Sequence, residues 1–445
     1  MNVSITVHRS AHSIGGNCIE VASGSHRIIL DCGIPLMGNG GTELPAAVLL
    51  DQNLIRPQVT GLFKEDRPEV DAVIFSHAHP DHFGLLSHIH PDIPLYMSEE
   101  TKTLLTLSDE FWPEEIRPKL DDANVKTYKH GNAFNIGPFT IRPYMMDHSA
   151  FGASAYSITI AGQRILYSGD YRAHGRKAKC FDYLLKNEPS EPDCLLVEGT
   201  TLGGKHHVGF SSEQEVENAF YDEFISQRDA AFVIASGSNI DRTISLYKAT
   251  KRAGKILVID LYQAYVLEQL KQFSPGLPPH KDDHLRVHYI KGHAKVFEKT
   301  LGINFLYRMK TRKINREDII RNRNDMVLRL PTRRLLSLAK SMHMQHELSN
   351  AKLVYSMWQG YQAMDDQLTM LSRKYDMPMI NVHVSGHAYQ NDLQRLVETL
   401  KPKKLIPIHT LNRQYFVEKY PQTELVDDGD SWCLPSTNPE QIQNN

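Results

Sequence analysis

The most informative stretch of this chain is His77-Ala-His-Pro-Asp-His82, which directly follows the apolar run Val70-Asp-Ala-Val-Ile-Phe-Ser76. The run is typical of a buried strand, so the six residues after it are expected on a loop at the strand end. The first two histidines can converge on one metal ion, while the aspartate and the last histidine turn toward a second. Zn²⁺ accepts imidazole nitrogen and carboxylate oxygen, and two neighbouring ions can share an activated water. The stretch therefore predicts a two-metal centre.

Further candidate ligands stand at the ends of other predicted strands, where loops can hold them over a sheet edge. Asp31 follows Arg27–Leu30, His148 follows Phe139–Met146, Asp170 follows Arg164–Gly169, and His409 follows Lys404–Ile408. A two-ion site also needs a carboxylate between the cations to offset their repulsion. Asp170 is the residue that we expect in this bridging position.

In this order the motifs resemble those of the metallo-β-lactamase superfamily. The resemblance implies a mixed α/β (α+β) fold, an αββα sandwich, with divalent cations as cofactors. It implies that one ion is held by His77, His79, His148 and Asp170, and the other by Asp81, His82, Asp170 and His409. Asp31 is implied to orient ligands without binding metal. The six-residue motif alone says little about the substrate, because several chemistries use it.

Three further motifs resemble those of the β-CASP nucleases within this superfamily. Leu195-Leu-Val-Glu198 resembles motif A, His383-Val-Ser-Gly-His387-Ala resembles motif B, and Pro407-Ile-His409 resembles motif C. Histidine in motif C is typical of the RNA-processing members. Ala235-Ser-Gly-Ser-Asn239-Ile-Asp-Arg242 is similar to a stretch of the ribonuclease J group, although Asp241 replaces the usual histidine. The resemblance covers roughly residues 1–435, and we expect the additional C-terminal domain of full-length ribonuclease J to be missing.

The resemblance also implies roles for the residues around the metals. The catalytic residues would be His387, Glu198 and the ligand Asp81. His387 would lie beside the leaving oxygen, with Glu198 hydrogen-bonded to it. The residues implied to bind substrate phosphates are His383, Ser385, Gly386, Ser238, Asn239 and Arg242.

The bulk properties predict a cytoplasmic protein with two domains. The chain has 445 residues, of which 41% are apolar, and no apolar run approaches the ~20 residues that cross a bilayer. The start of the sequence reads as a strand and lacks the shape of a signal peptide. The five cysteines are scattered without a C-x-x-C pair, which indicates free thiols in a reducing compartment.

The order of segments predicts how the domains are arranged. Residues up to about 204 are rich in strands, whereas helices and strands alternate from about 205, as in a parallel sheet covered by helices. We expect a metallo-β-lactamase domain split between 1–204 and 381–435. Residues 205–380 would be an inserted β-CASP α/β domain, and 436–445 a disordered tail.

Positive charge is concentrated in the predicted insert. Residues 201–380 hold 27 Lys and Arg against 19 Asp and Glu, and 308–340 alone hold 11 against three. Such a surface would attract a phosphate backbone, with an affinity that falls steeply as salt rises. The alternative interpretation is a solvated helix face, which is what most charge runs are.

Together these features predict a two-metal ribonuclease that hydrolyses phosphodiester bonds in single-stranded RNA. Zn²⁺ is the expected ion, and Mn²⁺ also suits the ligand set. Three alternatives compete with this function: a DNA nuclease, a hydrolase of a small ester, thioester or lactam, and a non-catalytic RNA-binding scaffold. The sequence does not decide between exonuclease and endonuclease action. RNA is the expected partner, no membrane is expected, and a homodimer is an open alternative.

Overall fold

The computed structural model describes residues 2–36, 56–112, 116–121, 124–202, 209–279, 281–345, 348, 350–359, 362 and 366–435. The chain forms two compact units. Unit 1 comprises Met1–Ala173, Lys177–His206 and Gly386–Asn445, and unit 2 comprises His174–Arg176 and His207–Ser385. The predicted domain limits stay a prediction, and the predicted disordered tail, 436–445, lies outside the described residues.

The first sheet of unit 1 is mixed. Its strands are β1 (Val3–Arg9), β2 (Cys18–Ser23), β3 (His26–Leu30), β4 (Ala72–Ile74), β5 (Leu95–Ser98), β6 (Val125–Tyr128) and β20 (Ser431–Cys433). They lie in the order β20-β1-β2-β3-β4-β5-β6. Neighbours are antiparallel from β20 to β3 and parallel from β3 to β6. The carboxyl ends of β3 and β4 therefore meet at one edge, where Asp31 and the His77–His82 motif follow.

The second sheet of unit 1 packs face to face on the first. Its strands are β7 (Phe134–Ile136), β8 (Phe139–Met145), β9 (Ser154–Ile160), β10 (Gln163–Tyr167), β11 (Cys194–Glu198) and β19 (Leu405–Ile408), in the order β19-β11-β10-β9-β8-β7. Buried side chains of both sheets form one core, which includes Ile5, Ile28 and Ile74 from the first sheet and Ile158, Ile165 and Ile406 from the second. Burial of these faces is the main favourable contribution to folding.

Helices cover the outer faces of this sandwich. They are α1 (Pro80–Phe83), α2 (Glu99–Ser108), α3 (Ala178–Asn187), α12 (Gln390–Leu400) and α13 (Arg413–Lys419). Helix α2 contacts β5 and β6. Helices α3, α12 and α13 pack on the second sheet through Phe181, Leu396 and Phe416, which are buried in a second apolar cluster. Unit 1 is thus an αββα sandwich.

Unit 2 is built on a parallel sheet. Its strands are β12 (Ala231–Ile234), β13 (Ile256–Asp260), β14 (Leu285–His288), β15 (Lys313–Ile314), β16 (Met326–Arg329), β17 (Lys352–Tyr355) and β18 (Met379–Asn381), in the order β15-β14-β13-β16-β12-β17-β18. Helix α4 (Glu213–Ile225) precedes these strands, and the helices between them are α5 (Ile240–Arg252), α6 (Leu261–Leu270), α7 (Lys291–Val296), α8 (Asn304–Met309), α9 (Arg316–Arg321), α10 (Thr332–His343) and α11 (Asp366–Lys374). This alternation is the one predicted for the insert.

The observed architecture agrees with the predicted fold class, and the limits of single elements differ slightly. The strand predicted over 70–76 is Ala72–Ile74. Helix α6 begins at Leu261, where the Asp260 side chain accepts a hydrogen bond from the Gln263 backbone N–H and caps the helix. Within the described ranges, the helices are too short or too polar to cross a membrane.

Candidate metal centre

The proposed metal ligands lie on loops that follow strands of both sheets of unit 1. The His77–His82 motif follows β4, His148 follows β8, Asp170 follows β10 and His409 follows β19. Five of these side chains are at most 4% exposed, namely Asp81, His82, His148, Asp170 and His409, and His77 is fully buried as well. His79 stands at the N-terminus of the short helix α1, whose first residue is a proline that suits this position.

Two residues of the site have a backbone conformation that favours glycine. Asp31 has φ 60° and His409 has φ 50°. The left-handed conformation costs other residues about 1–2 kcal/mol. Backbone hydrogen bonds hold both, from Asp31 N–H to Ile74 O at 2.9 Å and from His409 N–H to Ser10 O at 2.8 Å. Strain that the surrounding structure maintains in this way is common at functional sites.

Gly33 allows the loop after β3 to approach the metal-ligand motif. A Cβ atom at this position would lie 1.7 Å from the carbonyl oxygen of Asp81 and 2.6 Å from the backbone nitrogen of His82. The neighbouring Cys32 N–H donates to His82 O at 2.8 Å. Glycine is therefore required where the backbone of one loop touches the backbone of the other.

The first group of candidate ligands consists of His77, His79 and His148. The Nε2 atoms of His77 and His148 lie 3.1 and 3.2 Å from Nδ1 of His79. Nδ1 of His148 lies 2.6 Å from the carbonyl oxygen of Gly386, and Nδ1 of His77 lies 3.0 Å from Ser76 Oγ. Since a carbonyl oxygen only accepts, His148 carries its proton on Nδ1 and directs the lone pair of Nε2 at the other imidazoles.

Burial keeps the imidazoles of this first group neutral. It lowers the pKa of His77 and of His148 well below the usual value, and it lowers the pKa of His79 to about 4. Neutral imidazole is the form that binds metal, so at pH 7 no proton competes for these nitrogens.

The second group consists of Asp81, His82, Asp170 and His409. Nε2 of His82 lies 3.0 Å from Asp170 Oδ2, and Nε2 of His409 lies 3.3 Å from Asp81 Oδ2. Asp170 also reaches the first group, because its Oδ2 lies 3.8 Å from Nε2 of His77. Its carboxylate thus lies between the two groups, where a bridging ligand is predicted.

In the second group, the aspartates and the histidines stabilise the charged forms of one another. Burial raises the pKa of Asp170, but His409 and His82 lower it more, and the result is well below the usual range. The pKa of Asp81 is lowered in the same way, because His82 and His409 outweigh burial. Burial lowers the pKa of His82, but Asp170 and Asp31 raise it well above its usual value. A cation that binds His82 must therefore displace a proton.

Asp31 is not a member of the second group but supports it through hydrogen bonds. Its carboxylate accepts hydrogen bonds from Ser76 N–H at 2.6 Å, Ser76 Oγ at 2.7 Å and Tyr167 OH at 2.6 Å. Its Oδ2 lies 2.8 Å from Nδ1 of His82 and holds a proton on that nitrogen, so the proton that a cation displaces is the one on Nε2. Because the Ser76 hydroxyl donates to Asp31, it accepts from Nδ1 of His77, so one carboxylate orients two ligands.

His387 and Glu198 form a pair beside the second group. Nδ1 of His387 lies 3.2 and 3.3 Å from the two carboxylate oxygens of Glu198 and 3.6 Å from Asp170 Oδ2. Burial lowers the pKa of His387, but Glu198 and Asp170 raise it to about 9. At pH 7 the imidazole of His387 is therefore expected to be protonated, with Nδ1 turned to the carboxylates.

Another group of ligand atoms overlaps this site. Asp170, Glu198, His387 and His409 are also close enough to share a cation. The hydrogen bonds between Nδ1 of His387 and the Glu198 carboxylate favour a proton carrier over a ligand at this position.

The residues present fit a pair of divalent cations. Oδ1 of Asp170 is buried and has no hydrogen-bond partner in the described part of the chain. Lone pairs of His77 and His148 converge on Nδ1 of His79, and such acceptors repel one another unless a proton or cation lies among them. A cation is a recognised explanation for buried polar atoms of this kind. Imidazole and carboxylate donors suit Zn²⁺ and Mn²⁺.

Two family models match the chain at this site. Residues 26–220 match a beta-lactamase superfamily domain, and residues 377–417 match a Zn-dependent metallo-hydrolase RNA specificity domain. The first match includes every candidate ligand except His409, which lies within the second. The predicted resemblance to the metallo-β-lactamase superfamily is confirmed over these residues. The predicted enzyme class, a metal-dependent hydrolase, is thereby confirmed.

Full-length relatives of this superfamily are similar to most of the chain. Ribonuclease J of Sinorhizobium meliloti is 23% identical over 392 residues, which cover 86% of this chain and 63% of that protein. Ribonuclease J of Helicobacter pylori strain B128 is 22% identical over 429 residues, which cover 92% and 56%. The chain thus spans less than two thirds of the length of these curated relatives. The predicted ribonuclease J-like resemblance is confirmed.

A solved structure is similar over almost the whole chain. It is the crystal structure of a protein of unknown function from Enterococcus faecalis V583, with a TM-score of 0.76 at 20% sequence identity. The match covers 98% of this chain and 100% of that one. At this identity the similarity shows the fold alone, and it confirms the predicted fold class.

The residues that resemble motif B are divided between the two units. Gly386 and His387 belong to unit 1, whereas His383 and Ser385 belong to unit 2. A Cβ atom on Gly386 would lie 2.7 Å from Ser149 Oγ, so glycine allows this turn to approach the loop that carries His148. In unit 2, Nε2 of His174 lies 3.0 Å from the carbonyl oxygen of Ser385.

The predicted phosphate contacts of the insert have different surroundings in unit 2. Asn239 caps helix α5, because its Oδ1 accepts from Arg242 N–H at 2.9 Å. Oγ of Ser238 lies 2.9 Å from Ser236 Oγ and is partly exposed. Ser238 therefore remains available for a substrate, and Asn239 orients the helix N-terminus.

Arg242 is occupied within unit 2. Its side chain is fully buried, and its guanidinium donates to Glu213 at 2.8 Å and to Ser356 Oγ at 2.6 Å. It also lies 3.2 Å from Nδ1 of His383. A buried guanidinium with these partners stabilises the unit, so we leave Arg242 out of the proposed phosphate contacts.

Much of the basic run 308–340 is also paired within unit 2. The ion pairs are Arg308–Glu268 at 2.7 Å, Arg312–Asp283 at 2.8 Å and Arg323–Asp229 at 3.2 Å. Arg329 is buried. Among the described residues, Lys310, Arg333 and Lys340 are exposed and have no ion-pair partner. The charge available to a partner is therefore smaller than the sequence indicates.

Proposed function

We propose that this chain is a two-metal-dependent ribonuclease that hydrolyses phosphodiester bonds of single-stranded RNA. The main supporting observation is the geometry of unit 1, where two groups of metal ligands meet at Asp170 beside the His387–Glu198 pair. The names of the relatives and of the RNA specificity domain support RNA as the substrate.

Each of the two groups of ligands would hold one metal ion, with Asp170 shared between them. His77, His79, His148 and Asp170 would hold one ion, and Asp81, His82, Asp170 and His409 the other. When bound, the cations supply a water activated for attack and neutralise charge that develops on the phosphate. The protein's contribution is to keep the imidazoles neutral and oriented and the carboxylates ionised.

In this proposal His387 serves as the general acid. Its Nδ1 is held by Glu198, so the proton on Nε2 can pass to the oxygen that leaves phosphorus. The negative charges of Glu198 and Asp170 keep this proton in place at neutral pH. A positioned acid of this kind contributes about 10²–10⁴-fold to a rate.

Substrate phosphates would be held near motif B. His383, Ser385 and Gly386 are proposed to contact one phosphate, and Ser238 and Asn239 the next. The exposed cations Lys310, Arg333 and Lys340 would attract the nucleic-acid backbone without reading its sequence. Histidine in motif C supports RNA over DNA.

The test compares four substrates with the full chain loaded with Zn²⁺. They are a single-stranded RNA with a 5′-monophosphate, the same RNA with a 5′-triphosphate, a DNA of the same sequence, and p-nitrophenyl acetate. We expect cleavage of RNA, with mononucleotides if the enzyme acts from an end and internal fragments if it does not. His387→Gln is the matched variant, and it should lose RNA cleavage.

Two results would contradict the proposal. Hydrolysis of DNA or of the ester at rates above that of RNA would assign the site to another substrate. RNA cleavage that His387→Gln leaves unchanged would indicate a contaminating nuclease or a different acid.

A further inference from the structure

Several of the candidate ligand imidazoles share a pattern. In each of them, a neighbouring oxygen atom lies within hydrogen-bond distance of Nδ1. Ser76 fixes His77, Asp31 fixes His82, and the carbonyl oxygen of Gly386 fixes His148. Each neighbour holds the proton on Nδ1, which leaves Nε2 to bind metal. His409 belongs to the second ligand group and needs the same arrangement.

The neighbour of His409 is Thr200. Its Oγ1 lies 2.8 Å from Nδ1 of His409 and 2.5 Å from Oε2 of Glu198. The Glu198 carboxylate receives hydrogen bonds from several donors, including Tyr171 N–H at 3.0 Å, and acts as an acceptor. The single proton of Thr200 Oγ1 must therefore point to Glu198, so the hydroxyl oxygen accepts from Nδ1–H of His409.

This hydrogen bond determines which nitrogen of His409 faces the site. With its proton on Nδ1, His409 carries a lone pair on Nε2, and Nε2 lies 3.3 Å from Asp81 Oδ2 within the second ligand group. Asp170 Oδ1 lies 3.9 Å from Nδ1 of His409, which is beyond hydrogen-bond distance, so loss of the Thr200 hydroxyl would remove the described hydrogen-bond acceptor of Nδ1. The imidazole could then adopt the other tautomer, which places a proton where the metal would bind.

The fold brings Thr200 and His409 together at the ends of adjacent strands. Strands β11 and β19 are parallel, with Glu198 opposite Ile408, so both chains leave the sheet at the same edge. Thr410 Oγ1 donates to Gly199 O at 2.8 Å and ties the two loops together. A Cβ atom on Gly199 would lie 2.8 Å from the Phe416 ring, so the loop that carries Thr200 is closely packed.

We propose that Thr200 is a positioning residue. Its hydroxyl group orients the metal ligand His409 and also holds the carboxylate of the Glu198–His387 pair. The hydrogen bonds form a chain from His409 to Thr200 to Glu198, and His387 meets the same carboxylate from the other side. This inference rests on the proposed function, because it assigns His409 to metal and His387 to the leaving group. The Thr200 hydroxyl would thereby couple metal binding to proton delivery.

The test uses the full chain with Thr200→Val, which keeps the shape and removes the hydroxyl, and Thr200→Ser, which keeps the hydroxyl. The matched control is Thr250→Val in unit 2, which removes a buried hydroxyl that donates to Leu246 O at 2.6 Å. Zn²⁺ affinity is measured by competition with a chromophoric chelator, without any RNA. Single-turnover cleavage of RNA at saturating Zn²⁺ then gives the rate and the substrate dependence separately.

We expect Thr200→Val to weaken binding of the second Zn²⁺ by about 10- to 100-fold, the usual effect of losing such a neighbour. The first Zn²⁺ should bind as in the wild type, and kcat should fall more than KM changes. Thr200→Ser and Thr250→Val should both retain wild-type Zn²⁺ affinity.

Two outcomes would overturn the inference. One is a Thr200→Val variant with wild-type Zn²⁺ affinity and rate. The other is a Thr200→Ser variant as impaired as Thr200→Val, which would assign the effect to packing of the methyl group. If the wild type cleaves no RNA, the proposed function fails, but the Zn²⁺ measurement still decides the role of Thr200.

Discussion

Burial and neighbouring charges divide the histidines of the candidate metal centre into two classes. For His77, His79 and His148 burial dominates, and the pKa of each lies below its usual value. For His82 and His387 adjacent carboxylates outweigh burial, and the pKa of each is raised. The first class is ready to bind metal, whereas His82 must first lose a proton. His387, beside Glu198, is the one proposed to deliver its proton.

This division predicts different defects for two single substitutions. His387→Ala should retain full metal content and near-normal RNA affinity while losing about 10²–10⁴ in cleavage rate, because an acid is removed and no ligand is lost. His409→Ala should lose one metal ion together with the activity. Metal content by atomic absorption and single-turnover rates measure both effects.

A surface histidine supplies the control for this pair. His26→Ala removes a side chain that is 45% exposed and pairs with Asp71 in unit 1, so metal content and rate should stay unchanged. Loss of metal from His387→Ala, or full occupancy in His409→Ala, would mean that the acid and the ligand have been exchanged.

At the scale of elements, a buried ion cluster connects the first three strands of unit 1. Glu20 on β2 lies 3.1 Å from Nε2 of His8 on β1 and 2.7 Å from Nη2 of Arg27 on β3. Burial raises the pKa of Glu20, but hydrogen bonds from His8 and Arg27 outweigh it and lower the pKa to about 2. Its ordinary value is 4.5, so folding favours the ionised form.

We therefore predict a pH-dependent loss of stability for Glu20→Gln. The wild-type contribution is complete above pH 4.5 and is lost as the pH falls toward 2, since the folded-state pKa is the lower one. At pH 7 the variant should be less stable by about 3 kcal/mol, at roughly 1.4 kcal/mol per pKa unit. At pH 3 the difference should shrink to less than half. Urea unfolding followed by tryptophan fluorescence measures both.

Comparison with a second carboxamide variant isolates the cluster from general charge effects. Glu418→Gln changes an exposed residue of α13 and should alter stability by less than about 0.5 kcal/mol at either pH. An equal loss for Glu20→Gln at pH 7 and pH 3 would show that packing, and not ionisation, explains its effect.

At the scale of the whole molecule, the formal net charge of −2 conceals an uneven distribution. The basic run of unit 2 is partly neutralised by ion pairs with Glu268, Asp283 and Asp229. Exposed cations such as Lys310, Arg333 and Lys340 remain available to a phosphate backbone. If RNA follows this surface, its affinity should depend on these residues and on salt.

We predict that the triple variant Lys310→Glu, Arg333→Glu and Lys340→Glu weakens RNA binding and flattens its salt dependence. Each phosphate that is no longer neutralised should reduce the slope of log affinity against log salt by about 0.7 for a single strand. Fluorescence anisotropy with labelled RNA at several salt concentrations measures both quantities. Hydrolysis of bis-p-nitrophenyl phosphate should hardly change, because the metal centre is untouched.

The control is a triple variant with the same change of net charge in unit 1, made of Lys126→Glu, Lys186→Glu and Lys419→Glu, all exposed residues. It should retain most of the RNA affinity. If both triple variants weaken binding equally, overall charge and not the unit 2 surface attracts the RNA.

The candidate ligands could be predicted from local sequence patterns, and the αββα sandwich was implied by the resemblance of these motifs to the metallo-β-lactamase superfamily. Metal ligands follow short apolar strands, and both signals are local, so the His77–His82 motif and the polar residues after other strands could be read directly. The alternation of helix and strand from about residue 205 likewise predicted the parallel sheet of unit 2. Such patterns depend on a few neighbouring residues, so they can be recognised without knowing which distant residues are in contact.

Only the tertiary structure shows which residues support these ligands. It also shows which charged side chains are already paired within the protein. Ser76, Tyr167 and Thr200 carry hydroxyl groups that look ordinary in sequence, and Thr200 meets His409 from 209 positions away. Arg242, expected at a phosphate, is instead buried against Glu213. Hydrogen-bond partners and burial are set by the approach of chain segments that are remote in sequence, so no local pattern can contain them.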